Sequence, residues 1–221
     1  KYILHFEFKY ETLQIEEILN EIHSVEEDDK VFIWRDNQTK AFLSAIHSDF
    51  CNGIHSQATG SGKSLIALKI CGEYNKKYPT HNICWLCERK DISEKLFFET
   101  NKGNTLSLCS KSLLFWKKHD IINLNNFNVI EMIEKKPKNY FNIINENKDK
   151  PYFLIINRAF LTTKVYSKDK KDKKDTYKYQ KIKNKSQLCI IDECHSSQSS
   201  ETYKVLLYMK HQWKTKIQGF S

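Results

Sequence analysis

Gln57-Ala58-Thr59-Gly60-Ser61-Gly62-Lys63-Ser64 sets two glycines, a lysine and a serine directly ahead of an apolar run, Leu65-Ile66-Ala67-Leu68-Lys69-Ile70. Glycines let backbone N–H groups turn inward and approach phosphate oxygens with no Cβ in the way. Lys63 then reaches the outer phosphates of a nucleotide, and the Ser64 hydroxyl is placed to hold Mg²⁺. The run that follows reads as a helix, which puts the phosphates at a helix N-terminus. Asn52-Gly53-Ile54-His55-Ser56 reads as a short strand leading in. One position departs from the general phosphate-loop pattern: its first glycine would fall at 57, which is Gln57. A Gly/Ser turn before a surface helix accounts for the glycines alone. It does not account for the agreement of strand, loop, Gly-Lys-Ser and helix.

Far downstream stands Leu188-Cys189-Ile190-Ile191, followed by Asp192-Glu193-Cys194-His195. The apolar run is short enough for a buried parallel strand. It delivers Asp192 and Glu193 to the strand's carboxyl end, where ligands bind in open α/β sheets. One carboxylate there can hold Mg²⁺ and its neighbour can polarise an attacking water. Alone, the pair reads equally well as solvated strand caps; the cradle upstream gives it a partner.

With these two stretches in place, the chain resembles the first RecA-like lobe of a superfamily 2 helicase of the DExH type. Ala58-Thr59-Gly60-Ser61-Gly62-Lys63-Ser64 is similar to motif I of that superfamily, and Asp192-Glu193-Cys194-His195 to motif II. Further similarities fall in the right order. Arg35-Asp36-Asn37-Gln38 resembles the adenine-reading Arg-x-x-Gln element. Ile83–Cys87 with Glu88-Arg89-Lys90-Asp91 resembles motif Ia. Phe153–Asn157 with Arg158 resembles the strand and loop near motif Ib, and Gly219-Phe220-Ser221 the start of motif III. The Leu-Cys-Glu-Arg-Lys-Asp run and Asp-Glu-Cys-His resemble the restriction-translocase-like branch, including large DNA virus helicases.

The resemblance implies an α/β fold, a RecA-like domain with a mostly parallel sheet flanked by helices. It implies ATP and Mg²⁺ as ligands, with Ala58, Thr59, Gly60, Ser61, Gly62, Lys63 and Ser64 around the phosphates. Ser64 and Asp192 would hold the metal, Glu193 would activate water, and Arg35 and Gln38 would lie at the adenine. His195 and Ser221 would couple the nucleotide to a second RecA-like lobe, and Arg89 and Arg158 would touch the nucleic-acid backbone. DNA is favoured over RNA. Two alternatives stay open: a module that senses ATP without hydrolysing it, and an unrelated P-loop kinase. Glu193 argues against the first, and the Arg-x-x-Gln and Asp-Glu-x-His elements against the second.

Arginine usage points the same way. Lysine carries nearly all the positive charge, and the three arginines, Arg35, Arg89 and Arg158, each fall in one of these elements. A planar, bidentate fork is what lysine cannot supply. The net charge of +9 suits a phosphate-rich partner. No apolar run approaches the length of a membrane span, and no secretory signal is visible. Seven cysteines make no even-numbered framework, and Cys84-Trp85-Leu86-Cys87 lies within an expected strand. Buried thiols in a reducing, intracellular compartment are the expectation. The chain opens at Lys1 and stops inside a motif, as a piece of a longer protein would.

The organisation expected is a helical extension over 1–30 and one lobe over 31–221. Apolar spacing from Leu13 to Ile22 suits an amphipathic helix over Glu11–His23, and Glu26–Asp29 reads as a loop. A helix is expected over Trp34–Ala45. Strands are expected at Ile54–Ser56, Ile83–Cys87, Leu106–Leu108, Phe153–Asn157, Leu188–Ile191 and Lys216–Phe220. Residues 111–151 read as an insertion with a helix at Val129–Lys135 that Pro137 ends. Residues 164–187, with the Lys/Asp run 168–175, read as a charged mobile loop.

Overall fold

A strand that is apolar on both faces must be covered on both, and Ile83–Cys87 and Leu188–Ile191 are of that kind. A computed structural model of the chain describes residues 32–87, 95–100, 106–132, 149–165, 176–183, 185–196 and 200–221. Among them, both runs are central strands with every residue buried. Six strands form one all-parallel sheet: β1 (Gly53–His55), β2 (Ile83–Cys87), β5 (Asn128–Met132), β6 (Tyr152–Asn157), β9 (Leu188–Ile191) and β10 (Lys216–Phe220). Their order is β1-β10-β9-β2-β6-β5. Two antiparallel pairs stand beside it, β3 (Phe98–Thr100) with β4 (Leu106–Leu108) and β7 (Lys164–Val165) with β8 (Thr176–Tyr177). The helices are α1 (Asp36–His47), α2 (Lys63–Lys77), α3 (Ser110–Lys118), the single turn α4 (Arg158–Leu161) and α5 (Ser200–Tyr208). The sheet belongs to the compact unit Asp36–Ser221; the other unit is Lys1–Arg35.

Register fixes which side chains share a face. Trp85 pairs with Ile155 and Ile190, and Ile83 with Phe153 and Leu188. On that face Phe97 meets Trp85 and Phe153 edge-on, with ring centroids 5.3 and 5.7 Å apart, and Trp116 of α3 at 5.9 Å. The alternate residues Cys84, Leu86, Leu154, Ile156, Cys189 and Ile191 look the other way. They form one core with Phe160 and Leu161 of α4, Val205 of α5, and Met209 and Trp213 beyond it. Cys71, Cys84, Cys87 and Cys189 are buried free thiols, while Cys51 is exposed.

Asn82 ties three strands together at their amino ends. Its Oδ1 accepts from Tyr152 N at 2.8 Å, its Nδ2 donates to the Lys185 carbonyl at 3.0 Å, and its N–H donates to Gln187 Oε1 at 2.8 Å. Asp49 does similar work before β1. Its carboxylate accepts from Lys77 Nζ and the Tyr78 hydroxyl, both at 2.8 Å, and from Lys216 Nζ at 2.6 Å. The Lys216 ammonium, then Lys77, holds that carboxyl far below the ordinary range.

The expected strands are found within a residue of their expected bounds, though Leu106–Leu108 belongs to a hairpin outside the main sheet. The expected helix over Trp34–Ala45 is α1. The helix expected at Val129–Lys135 is wrong: Asn128–Met132 is the edge strand β5, paired in parallel with Tyr152–Ile156. A full ladder of hydrogen bonds to β6 outweighs the helix preference of Glu131 and Met132. That part of the segment expected as an insertion is therefore part of the sheet. The ends of the expected loop 164–187 are regular, as β7 and β8 with a 3₁₀ turn over Lys178–Lys181. The Lys/Asp run 168–175, the expected helix Glu11–His23 and the loop Glu26–Asp29 lie outside the described residues. Among the described residues, no helix is long and apolar enough to cross a membrane.

Helix α2 is locked to the segment before β5. Lys69, nearly buried, donates to Glu73 Oε1 and to the Asp120 carbonyl, both at 2.7 Å. One turn on, a Cβ at Gly72 would collide with the Ile121 carbonyl oxygen. Helix propensity alone favours alanine over glycine by about 1 kcal/mol. The collision sets the opposite sign here: Gly72→Ala is expected to destabilise the chain by roughly 1–3 kcal/mol, lowering Tm by several degrees. A thermal melt in which the variant is the more stable would show that α2 does not sit this close.

Candidate functional site at the carboxyl edge of the sheet

Parallel strands share one carboxyl edge, and the residues singled out by sequence gather along it. The loop Gln57–Ser64 leaves β1, Ser221 follows β10, Asp192 to His195 follow β9, and Arg158 follows β6. Only β10 lies between β1 and β9, so segments more than a hundred residues apart in sequence come off neighbouring positions. Arg89 lies outside the described residues. Arg158 opens α4 behind an Asn157 cap, whose Oδ1 accepts from Ala159 N at 2.8 Å. Arg35 belongs to the unit Lys1–Arg35 and is exposed.

The loop folds as its glycines require. Gly60 and Gly62 have φ of +78° and +85°, a region that costs other residues energy. Between them Ser61 N donates to the Ala58 carbonyl at 3.2 Å, closing a tight turn. Ala58, Thr59 and Gly60 are exposed. Lys63 and Ser64 then start α2, and Gly62 caps it with no side-chain hydrogen bond. The first amides of a helix have no carbonyl within the helix to bond, and their partial positive charge suits an anion. The first turn of α2 carries no acidic side chain to compete. Ser61 Oγ is buried with no hydrogen-bond partner among the described residues.

Gln57 loses its anomaly in the structure. Its N–H donates to the Ser221 carbonyl at 2.9 Å and Ser221 N donates to the His55 carbonyl at 3.1 Å, so the β1–β10 ladder runs into the loop. The backbone there is extended into a ladder and needs no glycine. Its side chain accepts from Asn37 Nδ2 at 3.3 Å. The neighbouring Gln38 is buried and donates from Nε2 to the Ser61 carbonyl at 2.8 Å. Adjacent residues of α1 thus hold the loop near both its ends.

Opposite the start of α2, Asp192 continues from β9 with its N–H on the Leu86 carbonyl at 3.0 Å. It is buried, and burial, then the Glu193 charge, pushes its carboxyl above the ordinary range against the pull of Lys63. Glu193 sits at φ +53°, a left-handed conformation uncommon outside glycine. Its Oε1 lies 4.0 Å from Lys63 Nζ and its Oε2 lies 3.3 Å from His195 Nδ1. Lys63, Glu193 and His195 are therefore in one constellation. A buried carboxylate of raised proton affinity, a lysine and uncapped helix amides fit a phosphate-bound divalent cation, which supplies the positive charge that Asp192 lacks.

Two contacts of this region were not read from the sequence. His55 Nε2 lies 2.6 Å from Gln218 Oε1, and its ring stacks on Phe220 at 4.7 Å, bracing β1 against β10. Gly219 lies on β10 beneath Cys194. An isolated glycine in a strand signals close approach by another group, and that signal was available in Lys216–Phe220.

The family described as "Type III restriction enzyme, res subunit" matches residues 8–220. No curated protein sequence matches the chain. Among solved structures, the UvsW helicase from bacteriophage T4 is similar in fold, with a TM-score of 0.54 at 10% identity over 93% of this chain. This chain spans 59% of that one. A nuclease-deletion mutant of the Type ISP restriction-modification enzyme LlaGI, in complex with a DNA substrate mimic, matches at a TM-score of 0.44 and 14% identity. That match covers 86% of this chain and 17% of the other. The all-parallel sheet flanked by helices is the fold that this chain shares with the UvsW structure. The chain belongs to the type III restriction enzyme res-subunit family.

Proposed function

We propose that this lobe binds ATP with Mg²⁺ through the Gln57–Ser64 loop and the Asp192–Glu193 pair, and serves a motor that moves on nucleic acid. The observation that carries the reading is the 4.0 Å approach of Lys63 Nζ to Glu193 Oε1 across the uncapped start of α2. A loop lysine and a strand-end carboxylate converge where a nucleotide's terminal phosphate would meet its attacking water.

Lys63 and the amides of Gly60 to Ser64 hold the phosphates. Ser64 and Asp192 hold the metal, which neutralises phosphate charge when bound. Glu193 orients water and takes its proton, and His195 beside it relays the state of the site outward with Ser221. Gln38 selects adenine, and its bond to the Ser61 carbonyl links base recognition mechanically to the shape of the cradle. Arg158, with Arg89, grips the nucleic-acid backbone; a helicase fold and a net charge of +9 support a polyanionic partner. DNA is favoured over RNA, in keeping with the restriction-enzyme family. A second RecA-like lobe completes the motor, and buried free thiols suit a reducing compartment.

Isothermal titration calorimetry tests the cradle directly. The chain is expected to bind Mg–ATP, and Lys63→Ala to remove most of that affinity. Equal affinity in the two proteins would remove Lys63 from the site.

Asp192 gives a test with opposite signs in two measurements. Because its folded proton affinity is raised, the folded chain holds a proton to higher pH than the unfolded chain. Stability therefore falls as pH rises through that window, because the buried carboxyl is forced to ionise. Asp192→Asn should raise the Tm of the nucleotide-free chain at pH 7 while abolishing the gain in ATP affinity from Mg²⁺. A lower Tm, or an unchanged Mg²⁺ effect, would contradict the assignment.

Turnover needs positive charge beside the terminal phosphate in the transition state, and an arginine from a second domain typically contributes ~10³–10⁵ in rate. The chain has three arginines, each assigned elsewhere. It is expected to hydrolyse ATP very slowly alone and far faster, with nucleic-acid stimulation, beside a second lobe. Glu193→Gln should stop turnover in that assembly and leave ATP binding near the wild-type value. Turnover by this chain alone at the stimulated rate would contradict the scheme.

A further inference from the structure

Gly219 is the one residue of β10 without a side chain, and it lies between Ile54 of β1 and Ile191 of β9 in the parallel register. A Cβ built there would stand 3.1 Å from Cys194 Sγ and 3.2 Å from Cys194 Cβ, closer than ordinary van der Waals contact. Cys194 thus rests on bare backbone. Three constraints act in succession on the segment that carries the carboxylates. Asp192 is held by its bond to the Leu86 carbonyl, Glu193 reverses the chain at φ +53°, and Cys194 begins a 3₁₀ turn, Cys194–Ser196, seated on Gly219. Displacing Cys194 must move Glu193, because one peptide bond joins them and the left-handed turn leaves little slack. Two residues beyond Gly219, Ser221 bonds to His55 and Gln57 at the mouth of the loop.

We propose that Gly219 is a positioning residue for the Asp192–Glu193 pair: its missing side chain is the seat for Cys194 that sets the carboxylates against Lys63 and the metal of a Mg–nucleoside triphosphate. The inference rests on the nucleotide reading above and adds to it a residue outside the loop and outside the carboxylate segment. Gly219 acts on the carboxylate half of the site and leaves the loop intact. Its loss should therefore weaken what Mg²⁺ contributes and spare what the loop amides and Lys63 contribute alone.

The test is ATP affinity by titration calorimetry, with Mg²⁺ and with EDTA. In Gly219→Ala a shift of a few tenths of an ångström is forced on Cys194, and misplacement on the ångström scale costs up to about 10²-fold. The Mg²⁺-dependent gain is expected to fall about tenfold, with affinity in EDTA unchanged. Cys194→Gly added to Gly219→Ala removes both close contacts and should restore most of the gain, which a general loss of stability would not allow. Where Gly219→Ala does not fold, Cys194→Leu presses on the same seat from the more accessible side and should give the same selective loss. A gain equal to wild type in the folded variants, an equal loss in EDTA, or no recovery in the double variant overturns the proposal. A wild type with no Mg²⁺-dependent gain removes the nucleotide reading and this inference with it.

Discussion

The site depends on one strand, β10, lying between β1 and β9. The ladder Gly53↔Gln218 on one side and Ile191↔Gly219 on the other fixes where both flanking strands end. A parallel ladder has no two-residue turn to set its register, so long crossovers and side-chain packing must do so. Here the register is also held by polar groups. Gln218 Nε2 donates to the Cys51 carbonyl, Gln218 Oε1 accepts from His55 Nε2, and Thr215 Oγ1 donates to the Ser186 carbonyl at 2.7 Å. A slip of one residue in β10 would turn Gly219 away from Cys194 and put a side chain in its place.

Around that strand the chain accepts local disfavour. Asp192 is buried with its proton affinity raised, and Glu193 holds a left-handed backbone. Neither feature by itself stabilises the fold. Both make sense in a site that binds a cation and a polyanion together, where the ligand supplies the compensating charge. The loop side has the complementary character, with uncapped amides and Lys63 at the start of a helix whose first turn carries no acidic side chain. The two halves are complementary to a third party more than to each other, as the long 4.0 Å contact between Lys63 and Glu193 indicates.

Much of this was legible in the sequence because it is local. Leu188–Ile191 and Ile83–Cys87 are apolar throughout and had to be central parallel strands, and both are. Gly60, Gly62 and the helix after Lys63 follow from backbone freedom and an apolar run. What was not legible is tertiary. Asn128–Met132 mixes Glu131 and Met132 with Val129 and Ile130, and only pairing with β6 makes it a strand. Gln57 broke the expected pattern until the β1–β10 ladder explained it. The bond from Gln38 Nε2 to the Ser61 carbonyl is a contact no spacing rule connects. Arg89 and the Lys/Asp run 168–175 lie outside the described residues.

A crystal structure of the chain with Mg²⁺ and a non-hydrolysable ATP analogue tests the central claim most directly. The account expects the phosphates in the Gln57–Ser64 loop at the start of α2, Lys63 drawn from Glu193 onto the terminal phosphate, and the metal between Ser64 and Asp192. A nucleotide bound elsewhere, or in the loop with its metal held without Asp192, would contradict it.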